Sequence, residues 1–315
     1  MILLATNKRD ITTDFIVMEL ARRGVPYFRL NTEDLPQTVV RFDPFSGWVL
    51  IVGDETINLQ DVKAGYYRRP GTPEVSAQVK DQATKEYLVN EWSAVLRSLW
   101  NALEGRWLNS PFAILRAEDK PRQLCEAHAL GFNIPDTFIG NDMDVVVEFV
   151  TNNPTIGKPL RHALIDTGPN GEVLFTQKIQ KLEGDDRVAV EIAPVIYQRE
   201  ITKAYDVRVT VVQDNVFAVA IHSQDHQDTE LDWRRGSRVD LKHRNITLPD
   251  ELAQKCCSLA KVLGLNYGAV DLIYDTSGCY WFLEINPNGQ WAWIERQTGA
   301  SLSSAIVDTL MDIAS

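Results

Sequence analysis

Near the C-terminus, Asp271-Leu272-Ile273-Tyr274 is followed by a turn at Thr276-Ser277-Gly278 and then by Trp281-Phe282-Leu283-Glu284-Ile285-Asn286-Pro287-Asn288-Gly289-Gln290. With a strand period of two, Glu284 and Asn286 share one face, and a short hairpin link brings Asp271 beside them. Two carboxylates and an amide oxygen then converge. Mg²⁺ takes oxygen ligands in octahedral geometry and is usually held by one or two carboxylates, with waters and phosphate oxygens completing its shell. The competing reading is a hydrogen-bonded polar cluster before an ordinary Asn-Pro-Asn-Gly turn. Burying unpaired carboxylates among Trp281, Phe282, Leu283 and Ile285 without a cation is costly, which favours the metal.

Two lysines carry the matching chemistry. Lys158 lies in the apolar stretch Ile156-Gly157-Lys158-Pro159-Leu160, where a cation needs an anion, and Lys120 sits just inside a helix start, where backbone amides also favour phosphate. A second cluster runs from Ile196 to Val209. In it Asp206 and Arg208 face the same side of one strand as an opposite-charge pair. A third, His222-Ser223-Gln224 with Asp232-Trp233-Arg234-Arg235-Gly236, adds guanidinium forks suited to phosphate or carboxylate.

These residues need elements to carry them. An apolar run at 2–5, a helix over Asp14 to Arg23 stopped at Gly24, and a strand over Val25 to Leu30 predict a βαβ opening and a parallel sheet. No G-x-G-x-x-G follows the first strand, which disfavours a dinucleotide site. A hairpin is expected over 45–59 and a strand over 64–69. Leu88, Trp92, Leu96, Leu99, Trp100 and Leu103 recur at helical spacing over 77–104, giving one long helix or two, with the Trp stripe in the core. A helix enters at Asp119-Lys120-Pro121 and stops at Gly131. Turn signals at Pro169-Asn170-Gly171 and Gln213-Asp214-Asn215 predict antiparallel hairpins, and helices close the chain near 249–263 and 302–314.

Composition bounds the possibilities. At 315 residues and 44% hydrophobic, the chain can fill two or three domains. A net charge of −11 gives no general footprint for nucleic acid or anionic membrane, so neither is expected as a partner. The apolar N-terminal run is too short for a signal peptide or a membrane span, and a cytoplasmic location is expected. Cys125, Cys256, Cys257 and Cys279 show no metal or disulfide spacing and are expected as reduced core residues.

Taken together, Lys120 and Lys158, the Gln198 to Arg208 segment, Asp271 and Glu284-Ile285-Asn286-Pro287 resemble the ATP-grasp superfamily. Within it the chain is similar to the graspetide synthetases, the microviridin-type peptide maturases. That narrower resemblance rests on Phe28 through Asp34, Tyr67-Arg68-Arg69-Pro70, Asn109-Ser110-Pro111, Lys120 through Leu124, Ile134-Pro135-Asp136-Thr137, Ser223-Gln224, Asp232-Trp233-Arg234 and Phe282 through Trp293. It implies an α/β and α+β chain with an N-terminal pre-ATP-grasp α/β domain over 1–110 and ATP-grasp subdomains over 111–195 and 196–315.

The resemblance also implies a reaction. MgATP would phosphorylate an Asp or Glu side chain of a ribosomal precursor peptide, and a Ser or Thr hydroxyl or Lys amine of the same peptide would displace phosphate, closing an ω-ester or ω-amide ring. Lys120 and Lys158 would contact the phosphates, and Asp271, Glu284 and Asn286 would hold Mg²⁺. The hinge Gln198-Arg199-Glu200-Ile201 would take the adenine, largely through its backbone. Arg208 and Arg234 would stabilise the transferring phosphoryl group, and Asp206 would orient or deprotonate the nucleophile. A docked leader peptide and a homodimer are further implications.

Two features depart from the family pattern. The hinge usually reads Gln-Glu followed by an aromatic, which leaves open which side chain here faces the nucleotide. The loop Thr167-Gly168-Pro169-Asn170-Gly171 is less glycine-rich than usual. The alternatives are a RimK-like ligase that adds a free amino acid to a peptide or protein, which would share these phosphate and metal residues, and a catalytically silent binding module.

Overall fold

The apolar run at the N-terminus forms β1 (Ile2–Thr6), and every residue of it is buried. A strand buried on both faces needs neighbours in a parallel sheet and a cover on each side. After α1 (Ile11–Arg22), β2 (Tyr27–Asn31) pairs parallel with β1. An antiparallel meander of β3 (Val39–Asp43), β4 (Gly47–Val52) and β5 (Glu55–Asn58) intervenes before β6 (Ala64–Tyr67) joins the other edge of β1. Alternation along β1 divides its contacts. Leu3 and Ala5 pack with Leu96, Leu99 and Trp100 of α2 (Gln82–Ala102), while Ile2 and Leu4 pack with Ile16 and Leu20 of α1. The long periodic segment is thus one helix, started by the Asp81 carboxylate, which accepts the Thr84 amide at 2.7 Å. Its Trp100 is core, as the stripe predicts.

This computed structural model describes residues 1–161, 164–165, 172–173, 176–234 and 240–315. The loop 167–171 and the pair Arg235-Gly236 lie outside the described residues. Asn109 opens the second part of the chain by clamping the first strand of the later hairpin. Its amide donates to the carbonyls of Tyr267 (2.7 Å) and Pro287 (3.2 Å), and its oxygen accepts the amides of Asn266 and Tyr267. α3 (Pro111–Ala117) and α4 (Lys120–Ala129) follow, capped by Ser110 and Asp119.

A four-stranded antiparallel sheet comes next, built from β7 (Thr137–Gly140), β8 (Thr155–Lys158), a later β11 (Gln177–Ile179) and β12 (Val195–Arg199), in the order β11-β8-β12-β7. Between β8 and β11 lies the short ribbon of β9 (Leu164–Ile165) and β10 (Glu172–Val173). α5 (Met143–Asn152) and α6 (Arg187–Glu191) cover the sheet through Met143, Val146 and Val190, which meet Tyr197.

The last sheet has five strands in the order β15-β14-β13-β16-β17: β13 (Lys203–Val212), β14 (Asn215–Ile221), β15 (His243–Ile246), β16 (Tyr267–Asp275) and β17 (Tyr280–Asn286). One face, with Val207, Val209, Leu272 and Phe282, packs on α3, α4 and α7 (Asp250–Val262). On the other face Val212, Val219 and Tyr267 join the N-terminal core with Trp291 and with α8 (Ala292–Thr298) and α9 (Leu302–Ala314). That leaves the rest of this face to polar residues.

Two boundaries differ from those expected. β12 hydrogen-bonds to β7 and β8, so the four-stranded sheet runs through to Arg199, past the expected division at 195. Ala113, Ala117 and Ala127 share a core with the five-stranded sheet, so residues 111–130 pack with the C-terminal part and not with the central one. Of the four cysteines only Cys256 is in the core; Cys125 and Cys279 are exposed, and all are free thiols. No described helix is long and apolar enough to cross a membrane.

Candidate active site

The polar face of the five-stranded sheet brings the predicted acidic pair together. Asp271 on β16 stands opposite Glu284 on β17, and Asn286 lies opposite Ala269, one pleat further along the same face. A bulge makes this possible. The register passes from Asp271↔Glu284 to Leu272↔Phe282, leaving Leu283 as the extra residue. Phe282 therefore turns into the core opposite Leu272, while Glu284, two residues on, faces the site.

Each carboxylate already has a cation. Arg208 on β13 is the register partner of Asp271, and its Nη1 donates to both carboxylate oxygens, at 2.9 and 2.8 Å. Lys120, at the first position of α4, pairs with Glu284, and Arg234 Nη1 lies 3.9 Å from the other Glu284 oxygen. Burial raises the Asp271 pKa to about 6; Arg208 opposes the rise and Glu284 adds to it. Burial also works against an ionised Glu284, but Lys120, Arg234 and Lys158 outweigh it and hold that pKa near 2. Asn286 uses its carbonyl oxygen to accept the Asn288 amide at 2.9 Å, which shapes the turn after β17.

Lys158 reaches the same region from the end of β8. Desolvation draws its ammonium down to about 8, against an upward pull from Glu284. Its Nζ donates to the Gln198 oxygen at 2.6 Å, and the Gln198 amide donates in turn to Thr137 Oγ1 at 2.9 Å. Gln198 thus positions the lysine. Arg199 points elsewhere, pairing with Asp136 at 2.9 Å and lying 5.1 Å over the Trp281 ring. Glu200 pairs with Lys178 at 2.6 Å. The amides of Arg199 and Glu200 are taken by the carbonyls of Asp136 and Pro154, so two hinge N–H groups are already committed. Glu200 and Ile201, with Ile156, Leu231 and Ile273, line a cavity of about 640 Å³.

The expected Asp206–Arg208 pair does not form. Residues two apart on a strand share a face, but a cross-strand partner is closer, and Arg208 turns to Asp271. Asp206 is instead buried against Lys203, whose Nζ donates to its two oxygens at 3.0 and 2.8 Å, and it also accepts from Ser223 Oγ. Burial raises its pKa despite Lys203. Arg234 is likewise engaged: its Nε and Nη2 donate to the two oxygens of Asp232, each at 2.8 Å.

Beyond the acidic pair lies an open cleft of about 550 Å³, whose wall includes Arg69, Arg208, Arg234, Trp233, His243 and Trp293. Trp293 lies between Trp233 and His243, with ring centroids 5.3 and 5.0 Å away. Lys203 and the aromatic wall had no sequence-based role, and Asp232 entered only as a member of its cluster; Lys203 and Asp232 have near neighbours as partners, whereas Trp233, His243 and Trp293 come together from distant parts of the chain. Arg69 could have been suspected from its Tyr-Arg-Arg-Pro setting.

The residues present fit a magnesium–nucleotide site. Their donor set is two carboxylates and one amide oxygen, the hard ligands Mg²⁺ prefers. Among the described residues no group of three His, Cys, Asp or Glu side chains gathers to suggest a softer metal. Lys120, Lys158, Arg208 and Arg234 surround that set, as an anionic phosphate chain would require.

Comparison with known families decides the class. Residues 123–310 match the RimK-like ATP-grasp domain, and residues 1–114 match the MvdD pre-ATP-grasp domain. The chain belongs to the RimK-like ATP-grasp family. It is an ATP-grasp ligase, a class that uses ATP and Mg²⁺ and forms ADP. Among curated relatives, the "Probable alpha-L-glutamate ligase" of Haemophilus influenzae is 24% identical over 247 residues, 73% of this chain and 79% of that protein. The one from Methanococcoides burtonii is 28% identical over 207 residues, 64% of this chain and 65% of its own.

Solved structures align over almost the whole length. A RiPP-associated ATP-grasp ligase of Chryseobacterium gregarium, in complex with ADP and a leader and core peptide, superposes with a TM-score of 0.90 at 25% identity, covering 99% of this chain and 96% of that one. The macrocyclase MdnC of Microcystis aeruginosa, bound with precursor peptide MdnA, gives 0.85 at 27% identity with 99% of each chain covered. MdnB from the same organism gives 0.80 at 29%, with 98% of each covered.

Proposed function

We propose that this ATP-grasp ligase is a peptide macrocyclase: it activates Asp or Glu side chains of a ribosomal precursor peptide and joins them to Ser or Thr hydroxyls or Lys amines of the same peptide. The observation that carries the reading is the MvdD-type N-terminal domain joined to the RimK-like domain in one chain, with full-length likeness to peptide macrocyclases. RimK-like catalysis alone would fit many acceptors. The N-terminal domain and the aromatic, arginine-lined cleft are what favour a peptide.

In this reading a carboxylate oxygen of the peptide attacks the γ-phosphorus of ATP and ADP leaves. The hydroxyl or amine then attacks the acyl carbon, phosphate leaves, and the nucleophile's proton is lost. Lys120 and Lys158 hold phosphate oxygens, Lys158 being aimed by Gln198. Asp271, Glu284 and Asn286 would hold Mg²⁺, which neutralises phosphate charge and aligns the transferring group. Arg208 and Arg234 supply donors where negative charge accumulates during both transfers. Glu200 and Ile201 form the adenine side of the hinge cavity. Asp206, neutralised by Lys203, borders the site near Arg234, and its part is to orient the nucleophile.

Incubation with a precursor peptide and MgATP tests the proposal. Each ring should remove one water from the peptide mass, and an unchanged mass would end the cyclase reading. The alpha-L-glutamate ligase relatives favour a second reading, addition of free glutamate to a peptide end. A product heavier by a glutamyl residue would select it. Docking of a leader segment and a homodimeric assembly belong to the same proposal; light scattering of the purified protein tests the latter.

A further inference from the structure

Three guanidinium groups face the open cleft, and two of them are already neutralised. Arg208 is held by Asp271 and Arg234 by Asp232. Arg69 lines the same cleft with no hydrogen bond or ion pair from its side chain among the described residues. An exposed guanidinium beside this site, its donors not taken up by a described side chain, is open to an anion as a two-pronged donor.

Its backbone is set for that purpose. Arg69 has φ of 42°, the left-handed region that non-glycine residues avoid. Among the described residues Gln213 also has a positive φ, and it sits in the two-residue turn between β13 and β14, where such a value is ordinary. Arg69 is in no hairpin turn; it leaves the end of β6 directly before Pro70. The surroundings enforce the conformation. Asn7 donates to the Arg69 carbonyl at 2.6 Å, the Arg68 amide donates to Ala5, and the Arg68 guanidinium donates at 3.1 Å to the carbonyls of Asn288 and Gly289. Strain kept in place by this many contacts is characteristic of functional positions.

We propose that Arg69, contributed by the N-terminal domain, binds the side-chain carboxylate that the enzyme activates, and so selects acidic residues of the peptide. This rests on the macrocyclase reading. The nucleotide is the other anion in such a site, but the position argues against it. Lys120 and Lys158 line smaller cavities around Glu284 that exclude Arg69, and the hinge cavity also excludes it. Arg69 instead forms the wall between the 550 Å³ cleft and a second one of about 360 Å³ lined by Tyr67, Pro111, Glu118 and Asn286, which gives an extended chain a route past the guanidinium. The planar fork matches a carboxylate with two parallel hydrogen bonds.

The test uses N-acetyl-glutamate α-amide and its neutral isostere N-acetyl-glutamine α-amide as probes, titrated by NMR into the protein with MgADP present. Wild type should favour the carboxylate by about tenfold or more. Arg69→Gly should lose that preference while melting at or above the wild-type temperature, since glycine accepts the left-handed backbone without strain. Arg69→Lys should keep part of the preference. The proposal is overturned if wild type shows no preference, or if Arg69→Gly retains it, whether or not that variant melts lower. The outcome is independent of the acceptor: a precursor that gains glutamate instead of losing water would sink the macrocyclase reading and leave the carboxylate preference standing.

Discussion

Arg208 and Asp271 face each other across the β13–β16 ladder, with one guanidinium nitrogen 2.8 and 2.9 Å from the two carboxylate oxygens. Both side chains are largely buried. The pair therefore does two things: it favours ionised Asp271 against the desolvation that lifts its pKa, and it fixes the carboxylate with both oxygens on the guanidinium.

Removing the cation should consequently cost more stability than removing the carboxylate. Arg208→Met leaves Asp271 beside Glu284 with nothing opposite it, whereas Asp271→Asn also relieves the repulsion between the two acids. Loss of one partner from a buried pair costs roughly 3–5 kcal/mol. Arg208→Met should melt well below Asp271→Asn, and each should lower ATP turnover by about 10²-fold or more. Equal melting temperatures would show that relief of the Asp271–Glu284 repulsion carries no weight in the fold.

Glu284→Gln separates the metal role from simple charge balance. The amide keeps the shape of the side chain and a weak oxygen donor but removes the charge that Lys120 pairs with and that Mg²⁺ would share in the proposed site. The expected result is a higher Mg²⁺ requirement and turnover reduced about 10²-fold at saturating ATP. Unchanged turnover at low Mg²⁺ would remove Glu284 from the metal set.

Much of this was legible because the signals were local. The βαβ opening, the single long helix and the hairpin carrying Asp271 and Glu284 all follow from periodicity and turn chemistry. The failures have one physical origin, long-range pairing. Strict alternation would put Phe282 and Glu284 on one face, and only the bulge at Leu283 sends one to the core and the other to the site. Asp206 and Arg208 read as a pair until the neighbouring strand, 63 residues away, supplied Asp271. A short apolar run such as Val145 to Val150 does not by itself separate helix from strand, and the Asp142 side chain, accepting the amides of Asp144 and Val145, starts a helix there.

The tail after β17 depends on one close approach. A Cβ at Gly289 would lie 2.4 Å from the Ala269 Cβ, and the Gly289 carbonyl accepts from both Arg68 and Tyr267. Gly289→Ala must therefore push the tail off β16 and disturb the Arg68 anchor. Overpacking of this kind costs about 1–3 kcal/mol. A matching fall in thermal midpoint is expected, with a larger fall in peptide processing than in MgADP binding, because the displaced segment adjoins Arg68 and not the lysines. An unshifted midpoint would mean that the backbone yields freely there.

As the proposed phosphate contact, Lys158 would make nucleotide binding pH-dependent in a definite direction. Its pKa is about 8 in the folded protein, against 10.5 for an ordinary lysine, because burial disfavours the ammonium. Between those values the unfolded chain holds more protons than the folded one, so this residue's contribution to stability improves as pH rises from 8 toward 10.5. ATP acts oppositely. Phosphate oxygens favour the ammonium, so binding takes up a proton above pH 8, and affinity should fall as pH rises through that value. Calorimetry at about pH 9 in buffers of different ionisation enthalpy should show net proton uptake on ATP binding, and Lys158→Arg, whose guanidinium stays charged, should abolish it. Equal uptake by the two proteins would assign the proton to another group and remove Lys158 from the phosphate contacts.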